Sequence, residues 1–289
     1  MSIGSAEPGA FDHSLVMTQM INFSDLLWKT SRTKEARRRT IPFVETSQAV
    51  ISPALADVEI DQAQIDPTSR IALLMAPHSS GADRFRFLRL RLRELRQLAK
   101  LQSIVITSPI PEDGKSTTAI CLASSLAEGG KNSVLLIEAD LHHPSLAKSL
   151  CIPGRPGVAE CLEGGVRALS EIRKIEPLGW HLLQAGTTKG NPSELLQSDA
   201  LPVLMQQVAP HFDWILVDSP PALPLTDAVS LCRNVDGSLL VARADRTPRE
   251  AIDEALTLIG RKHIVGIILN GTEGLGRYYS SYYGHYVKP

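Results

Sequence analysis

The sequence predicts an α/β fold built on a central, mainly parallel sheet. Three features carry that expectation. Short, continuous apolar runs recur along the chain, as strands do when both faces of a parallel sheet are covered. Helical stretches lie between them, so strand and helix alternate. The 289 residues are 43% hydrophobic and 21% charged, an ordinary balance for a chain that buries a sizeable core, and long enough for one large or two small domains.

From about residue 70 the elements follow in order. A charged helix is expected over 84–100, with Phe85, Leu88, Leu92 and Leu95 on one stripe. Buried strands are expected over 103–107, 134–137, 181–183, 214–217, 238–242 and 265–269. Helices are expected near 116–129, 193–208, 225–233 and 248–261. The first 65 residues differ. They hold small apolar clusters (Ile21, Phe23, Leu26, Leu27, Trp28), a basic run from Lys29 to Arg39, and then a stretch with no sustained period. This reads as a mostly disordered arm with one short helix near 17–29. Its basic run reads as a solvated linker or as a contact for lipid or a partner. The expected organisation is an arm over 1–65, a folded domain over 66–274 and a tail over 275–289.

A net charge of −1 gives no global reason to expect nucleic acid or an anionic membrane as the main partner. Cys121, Cys151, Cys161 and Cys232 are scattered without a CxxC pair, which reads as reduced cytosol rather than a metal site or disulfide framework. No apolar run approaches the roughly 18 residues that cross a bilayer, and the opening MSIGSAEPGAFDHS lacks the pattern of a signal peptide. The expectation is a soluble, cytoplasmic chain brought to a membrane, if at all, by a partner.

The strongest local signal is SIVITSPIPEDGKSTTAICLASSLAEGG. A strand ends at Thr107, a turn-rich loop follows, and Gly114-Lys115-Ser116-Thr117 opens a helix. This is the setting of a P-loop, where successive N–H groups and the helix N-terminus meet phosphates. Asp113 to Thr117 are the nucleotide-binding candidates. Lys115 would reach the β and γ phosphates of ATP, and the Ser116 hydroxyl would ligate Mg²⁺. Gly114 would let the backbone approach the phosphates where a Cβ would block it. Pro109 stands where the first glycine of the usual pattern belongs. Two further strand ends carry acids: Glu138 and Asp140 in LLIEADLHHP, and Asp218 in DWILVDSPPALPLTDA. Ligands of open α/β sheets lie beyond the carboxyl ends of strands, so all three elements point into one crevice. A hard cation beside phosphates takes oxygen ligands such as these carboxylates.

Together these elements resemble the bacterial tyrosine kinase family, the cytoplasmic kinase partners of capsule and exopolysaccharide assembly. The resemblance runs from about Asp83 to Pro289. TSPIPEDGKSTTA is similar to the family's Walker A, LLIEADLHHPSL to its Walker A′, ILVDSPPALPLTDA to its Walker B and GNPSELLQS to its NP-x-ELL segment. VGIILNG resembles the family's last strand, which implies that Asn270 lies near the adenine. The resemblance implies a P-loop kinase domain using ATP and Mg²⁺, with Lys115, Asp140 and Glu138 catalytic and Ser116, Asp140 and Asp218 at the metal. Two positions depart from the family pattern: Glu138 stands for the usual Asp, and His142 for the usual Arg. Asp83, Arg86 and Arg89 match the family's subunit-contact spacing, with Asp in place of Glu, and residues at i, i+3 and i+6 lie close to one helix face.

All five tyrosines, Tyr278, Tyr279, Tyr282, Tyr283 and Tyr286, lie in the last dozen residues, after Gly271, Gly274 and Gly276. They have no helical or strand period, which suits autophosphorylation sites in a mobile tail better than core residues. The resemblance further implies protein tyrosine substrates, a ring-like homo-oligomer and a transmembrane polysaccharide co-polymerase as activator. Two other readings stay open. A partitioning-type ATPase of the same fold carries a second lysine early in the P-loop, where this chain has Ile110. A non-catalytic scaffold of polysaccharide export would bind ATP only to assemble.

Overall fold

The computed structural model describes residues 58–272. The short helix expected near 17–29, the basic run and the five tail tyrosines lie outside the described residues. In chain order the elements are β1 (Ile60–Gln62), α1 (Arg70–Met75), α2 (Ser80–Leu98), β2 (Ser103–Thr107), α3 (Lys115–Ala127) and β3 (Val134–Glu138). Next come α4 (Leu146–Leu150), α5 (Val158–Leu162), α6 (Ala168–Glu171), β4 (Arg173–Glu176), β5 (Trp180–Leu183), α7 (Pro192–Leu196) and α8 (Ala200–Val208). The last are β6 (Trp214–Asp218), α9 (Asp227–Arg233), β7 (Gly237–Arg243), α10 (Arg249–Ile259) and β8 (Ile264–Asn270).

The described strands form one sheet in the order β1-β4-β5-β3-β6-β2-β7-β8. Every described pairing is parallel except β4 with β5. This is the P-loop NTPase architecture that the sequence predicts. The continuous apolar runs are explained by their alternation between two cores. Val105, Leu135, Ile137, Ile215 and Val217 point into one core. Ile104, Ile106, Val134, Leu136, Trp214 and Leu216 point into the other. Successive strand side chains face opposite sides, so a strand covered on both faces has no polar side to show.

The helical stripe of α2 behaves as expected: Leu92 is buried, with Phe85, Leu88 and Leu95 packed beside it. The helix starts at Ser80 rather than at residue 84, because the Ser79 hydroxyl accepts the Ala82 N–H as an N-cap.

Two expectations are corrected. The single helix expected over 193–208 is two helices, α7 and α8, broken around Gln197–Asp199. Pro202 explains the break: its ring clashes with the carbonyl four residues back in a continuing helix but is tolerated in a first turn. The folded unit also begins before residue 66. Strand β1 adds to the sheet edge, and buried Asp61 pairs with Arg155 at 3.0 Å. A three-residue strand with one inward residue is too short to show a period.

Candidate functional site

The carboxyl ends of β2, β3 and β6, neighbours in the sheet, bring the predicted residues together. Between β2 and α3 the P-loop is tied to the protein from two sides. On one side, Ala222 N–H donates to Ser108 O at 2.8 Å and Leu223 N–H to Pro109 O at 3.3 Å. The loop after β6 thereby fixes the stretch that lacks the usual first glycine. On the other side, Thr247 Oγ1 donates to Asp113 Oδ1 at 2.8 Å, Asn270 Nδ2 to Asp113 O at 2.9 Å, and Arg246 to Glu112 at 2.7 Å. Burial raises the Asp113 carboxyl above the usual range, against the Thr247 hydrogen bond that lowers it.

Gly114 adopts φ +95°, and a Cβ there would stand 2.1 Å from Asn270 Nδ2. The glycine is therefore required by a left-handed backbone and by the Asn270 amide. Beyond the phosphates that the sequence points to, Asn270 is a neighbour within the fold that a Cβ would meet. The amide of Asn270, which the resemblance puts near an adenine, is engaged with the P-loop here.

Lys115 Nζ lies 3.1 Å from Asp140 Oδ2, and both side chains are largely buried. Asp140 Oδ1 also accepts the His143 N–H at 3.1 Å. Asp218 is fully buried beside them. No donor among the described residues meets hydrogen-bond geometry at either of its carboxylate oxygens, although the Ser116 hydroxyl is close enough to favour the anion. Burial pushes Asp218 up to about 7, partly offset by Lys115 and Ser116 and reinforced by Glu138 and Asp140.

Glu138 is treated differently. Its Oε1 accepts the N–H groups of Ser145 (2.6 Å) and Leu146 (2.7 Å), and its Oε2 that of Ala185 (3.2 Å). Burial still raises it above the usual carboxylate range, against those three donors. Its extra methylene reaches the turn that opens α4.

A cleft of about 260 Å³ opens over the P-loop. Gly114, Lys115, Ser116, Thr117 and Asn270 line it, together with Arg70 and Arg243. Those two arginines were not singled out from the sequence. Arg243 ends β7 and was findable by the strand-end rule that found the acids. Arg70 sits near the expected arm boundary and gives no sequence signal.

No family model matches the chain. The curated relatives do. Tyrosine-protein kinase ptk of Acinetobacter johnsonii is 35% identical over 173 residues, covering 60% of this chain and 23% of that protein. Succinoglycan biosynthesis transport protein ExoP of Rhizobium meliloti (strain 1021) is 32% identical over 222 residues, covering 73% of this chain and 28% of ExoP. This chain thus spans about a quarter of the length of these two relatives. The crystal structure of the VpsO kinase domain is 30% identical with a TM-score of 0.57, and the match covers 65% of this chain and 95% of that domain. The chain belongs to the bacterial tyrosine kinase family.

In this family member the residues of the subunit-contact spacing do not act alike. Asp83 and Arg86 form an ion pair on α2 with both side chains half exposed. Arg89 turns back onto α3, with Nη2 3.0 Å from Glu128 Oε1 and Nη1 donating to Ser125 O at 2.8 Å. The family's Walker A′ arginine position is His142, whose Nε2 lies 2.9 Å from Asp227 Oδ2. Asp227 gives no distinct signal in the sequence because it opens a helix, where acids are common.

Proposed function

We propose that the chain is an ATP-dependent protein-tyrosine autokinase whose acceptors include Tyr278, Tyr279, Tyr282, Tyr283 and Tyr286. The observation that carries this reading is Asp218: a fully buried carboxylate with both oxygens open, beside Lys115 and Ser116. An unsatisfied buried carboxylate is expensive and persists where a ligand completes it. Among the described residues, no group of three or more His, Cys, Asp or Glu could hold a metal ion by itself. A Mg²⁺ ion beside phosphates takes one or two carboxylates and fills its remaining positions with phosphate and water oxygens, so Asp218 and Ser116 fit it. Bound there, Mg²⁺ would offset phosphate charge.

The chain's own residues do the rest. Asp113 to Thr117 present N–H groups and the N-terminus of α3 to the phosphates. Lys115 offsets charge on the transferred phosphoryl group, and Asp140 fixes Lys115 and borders the metal. Glu138 holds the Walker A′ turn so that Asp140 projects into the crevice. Most of the rate then comes from position and electrostatics.

The names of the relatives add a setting. ExoP is a succinoglycan biosynthesis transport protein, and we place this chain in the control of exopolysaccharide or capsule synthesis and export. Among the described residues no helix is long and apolar enough to cross a membrane. As partner we name a transmembrane co-polymerase that recruits and activates it at the inner membrane face, and a ring of copies would let one tail reach a neighbour's site.

Phosphotyrosine mass spectrometry of the purified chain with Mg-ATP tests the reading. Tail phosphorylation is expected, and Lys115→Ala should abolish it in a folded protein. ATP consumption without phosphotyrosine would instead indicate a partitioning-type ATPase, and neither would indicate a scaffold.

A further inference from the structure

The P-loop has an acid side and an arginine side. The cleft of about 260 Å³ holds the start of α3 from Lys115 to Thr117 together with Arg70, Arg243 and Asn270. Glu138, Asp140 and Asp218 are not in its lining. The carboxylate that does line it, Glu112, is turned to Arg246 at 2.7 Å. Lys115 leans the other way, with Nζ 3.1 Å from Asp140 Oδ2. In a P-loop the backbone cradles the α and β phosphates, while the lysine and the metal serve the β and γ phosphates. The metal takes carboxylates, so the γ end of a nucleotide belongs on the acid side. The α-phosphate and the nucleoside fall to the side with the arginines.

Both arginines are built into the fold. Arg243 closes β7, and its N–H donates at 2.7 Å to the Thr247 hydroxyl, which itself donates to Asp113 of the P-loop. Its stem passes Gly271, where a Cβ would stand 3.4 Å from Arg243 Cγ. Arg70 opens α1, whose first turn is capped by the Ser69 hydroxyl accepting the Ala72 N–H at 3.2 Å and anchored by buried Ile71. A guanidinium is always charged, and its planar fork of N–H donors matches phosphate oxygens.

Helix α1 is also locked to α2. A Cβ added to Gly81, in the first turn of α2, would stand 2.8 Å from Leu74 Cδ2 and 2.9 Å from Leu74 Cα. Backbones packed this closely shift together. Gly81 lies two residues before Asp83, so the helix that carries the subunit-contact spacing starts against the helix that carries Arg70.

We propose that Arg70 and Arg243 grip the α-phosphate end of the bound nucleotide, and that Arg70 thereby ties α1 and α2 to nucleotide occupancy. The proposal rests on the nucleotide-binding part of the autokinase reading and is independent of phosphoryl transfer.

The test uses the full chain and two probes, ADP and a non-hydrolysable ATP analogue, each titrated by calorimetry with Mg²⁺ and with EDTA. Arg70→Ala and Arg243→Ala should each weaken both probes about tenfold or more, the effect of losing one charged hydrogen bond to phosphate. Both probes carry an α-phosphate, so the fold-loss should be equal for the two and independent of Mg²⁺. Arg70→Lys and Arg243→Lys keep the charge without the fork and should recover part of the loss. Hydrogen exchange adds a readout that a merely structural role would not move. At saturating ADP, amide exchange over 70–75 and 80–84 should slow in the parent and in Arg243→Ala, and should not slow in Arg70→Ala. If Arg243→Ala fails to fold, Arg70→Ala decides alone, because α1 keeps its Ser69 cap and its Ile71 anchor. Unchanged affinity in a folded alanine variant, or a loss confined to the ATP analogue with Mg²⁺, overturns the grip. Slowing in Arg70→Ala equal to that of the parent overturns the tie to α2. A parent that binds neither probe sinks the nucleotide site and this proposal together. A parent that holds both probes through these arginines yet yields no phosphotyrosine sinks the kinase reading alone.

Discussion

Glu138 and Asp218 stand opposite one another in register at the ends of β3 and β6, and neither side chain is open to solvent. On the β3 side, the chain turns three backbone N–H groups onto the carboxylate. On the β6 side, it offers none with hydrogen-bond geometry. Burial alone raises the proton affinity of both acids. The satisfied one is accounted for within the fold. The unsatisfied one makes sense when something from outside completes it. Two acids that look equivalent in the sequence, each closing a buried strand, are thus separated by their partners into one that builds a turn and one that awaits a ligand.

The largest effect expected from this contrast is at Asp218. Asp218→Asn should lower tail phosphorylation by about 100-fold or more, the scale of losing one electrostatic group at a transfer site. It should also stabilise the nucleotide-free protein, and the sign follows from the shift. The folded state binds the Asp218 proton up to about pH 7, whereas an unfolded aspartate releases it near its ordinary value of 3.8. Stability contributed by this group is therefore lost as pH rises between those values, and the penalty is fully present above pH 7. The melting temperature of Asp218→Asn should exceed that of the parent most at pH 8, and the gap should close towards pH 4. Each kcal/mol of relief is about 2–4 °C for a domain of this size. For the same reason Mg-nucleotide should bind the parent more weakly at pH 6 than at pH 8. A variant that is no more stable than the parent at pH 8 would break the comparison.

The next effect, at Glu138, has the opposite balance. Glu138→Ala leaves three N–H groups without their acceptor, at about 1–3 kcal/mol for each one left buried. We expect a loss of about 3 kcal/mol, or roughly 6–12 °C, by thermal melting. Glu138→Asp restores the acid usual in the family but shortens its reach, and should lose about 1 kcal/mol while keeping nucleotide affinity. If Glu138→Gln abolished phosphorylation with an unchanged melting temperature, Glu138 would belong with Asp218 as a catalytic group.

The same contrast explains how much of the molecule was legible in the sequence. The strands over 103–107, 134–138 and 214–218 announce themselves because both faces are buried and their interiors are continuous apolar runs. The P-loop, Asp140 and Asp218 follow from strand ends and a helix start. Strand β4, RKIE, pairs at an edge-side position with mixed exposure, and its polar composition hides it. The break between α7 and α8 is legible at Pro202, which a continuing helix does not tolerate. The division of labour between Glu138 and Asp218 could not be read at all, because the donors come from Ser145, Leu146 and Ala185, up to 47 residues away. The tie of Asn270 to Asp113 spans 157 residues and is equally invisible to local pattern.

The smallest effects separate the two arginines of α2, which share a spacing but not an environment. Arg86 is half exposed and pairs with Asp83 one turn away, an interaction of about 0.2–0.5 kcal/mol. Arg89 is four-fifths buried between Glu128 and the Ser125 carbonyl, so it braces α2 against α3. Arg89→Ala should therefore lower stability by about 1 kcal/mol, seen as a melting shift of roughly 2–4 °C. Arg86→Ala should leave the melting temperature within about a degree, because a solvated pair contributes little to the fold. If copies of the chain associate through this face, the order reverses in light scattering. The exposed Asp83–Arg86 pair can exchange its internal partner for one on a neighbour at little loss, whereas Arg89 would have to abandon two buried contacts first. Arg86→Ala should then shift the mass towards the monomer at unchanged stability, and Arg89→Ala should do so only in proportion to the fold it loosens. Equal masses for the parent and Arg86→Ala would remove α2 from the interface, and a stability loss larger for Arg86→Ala than for Arg89→Ala would overturn the assignment of brace and contact.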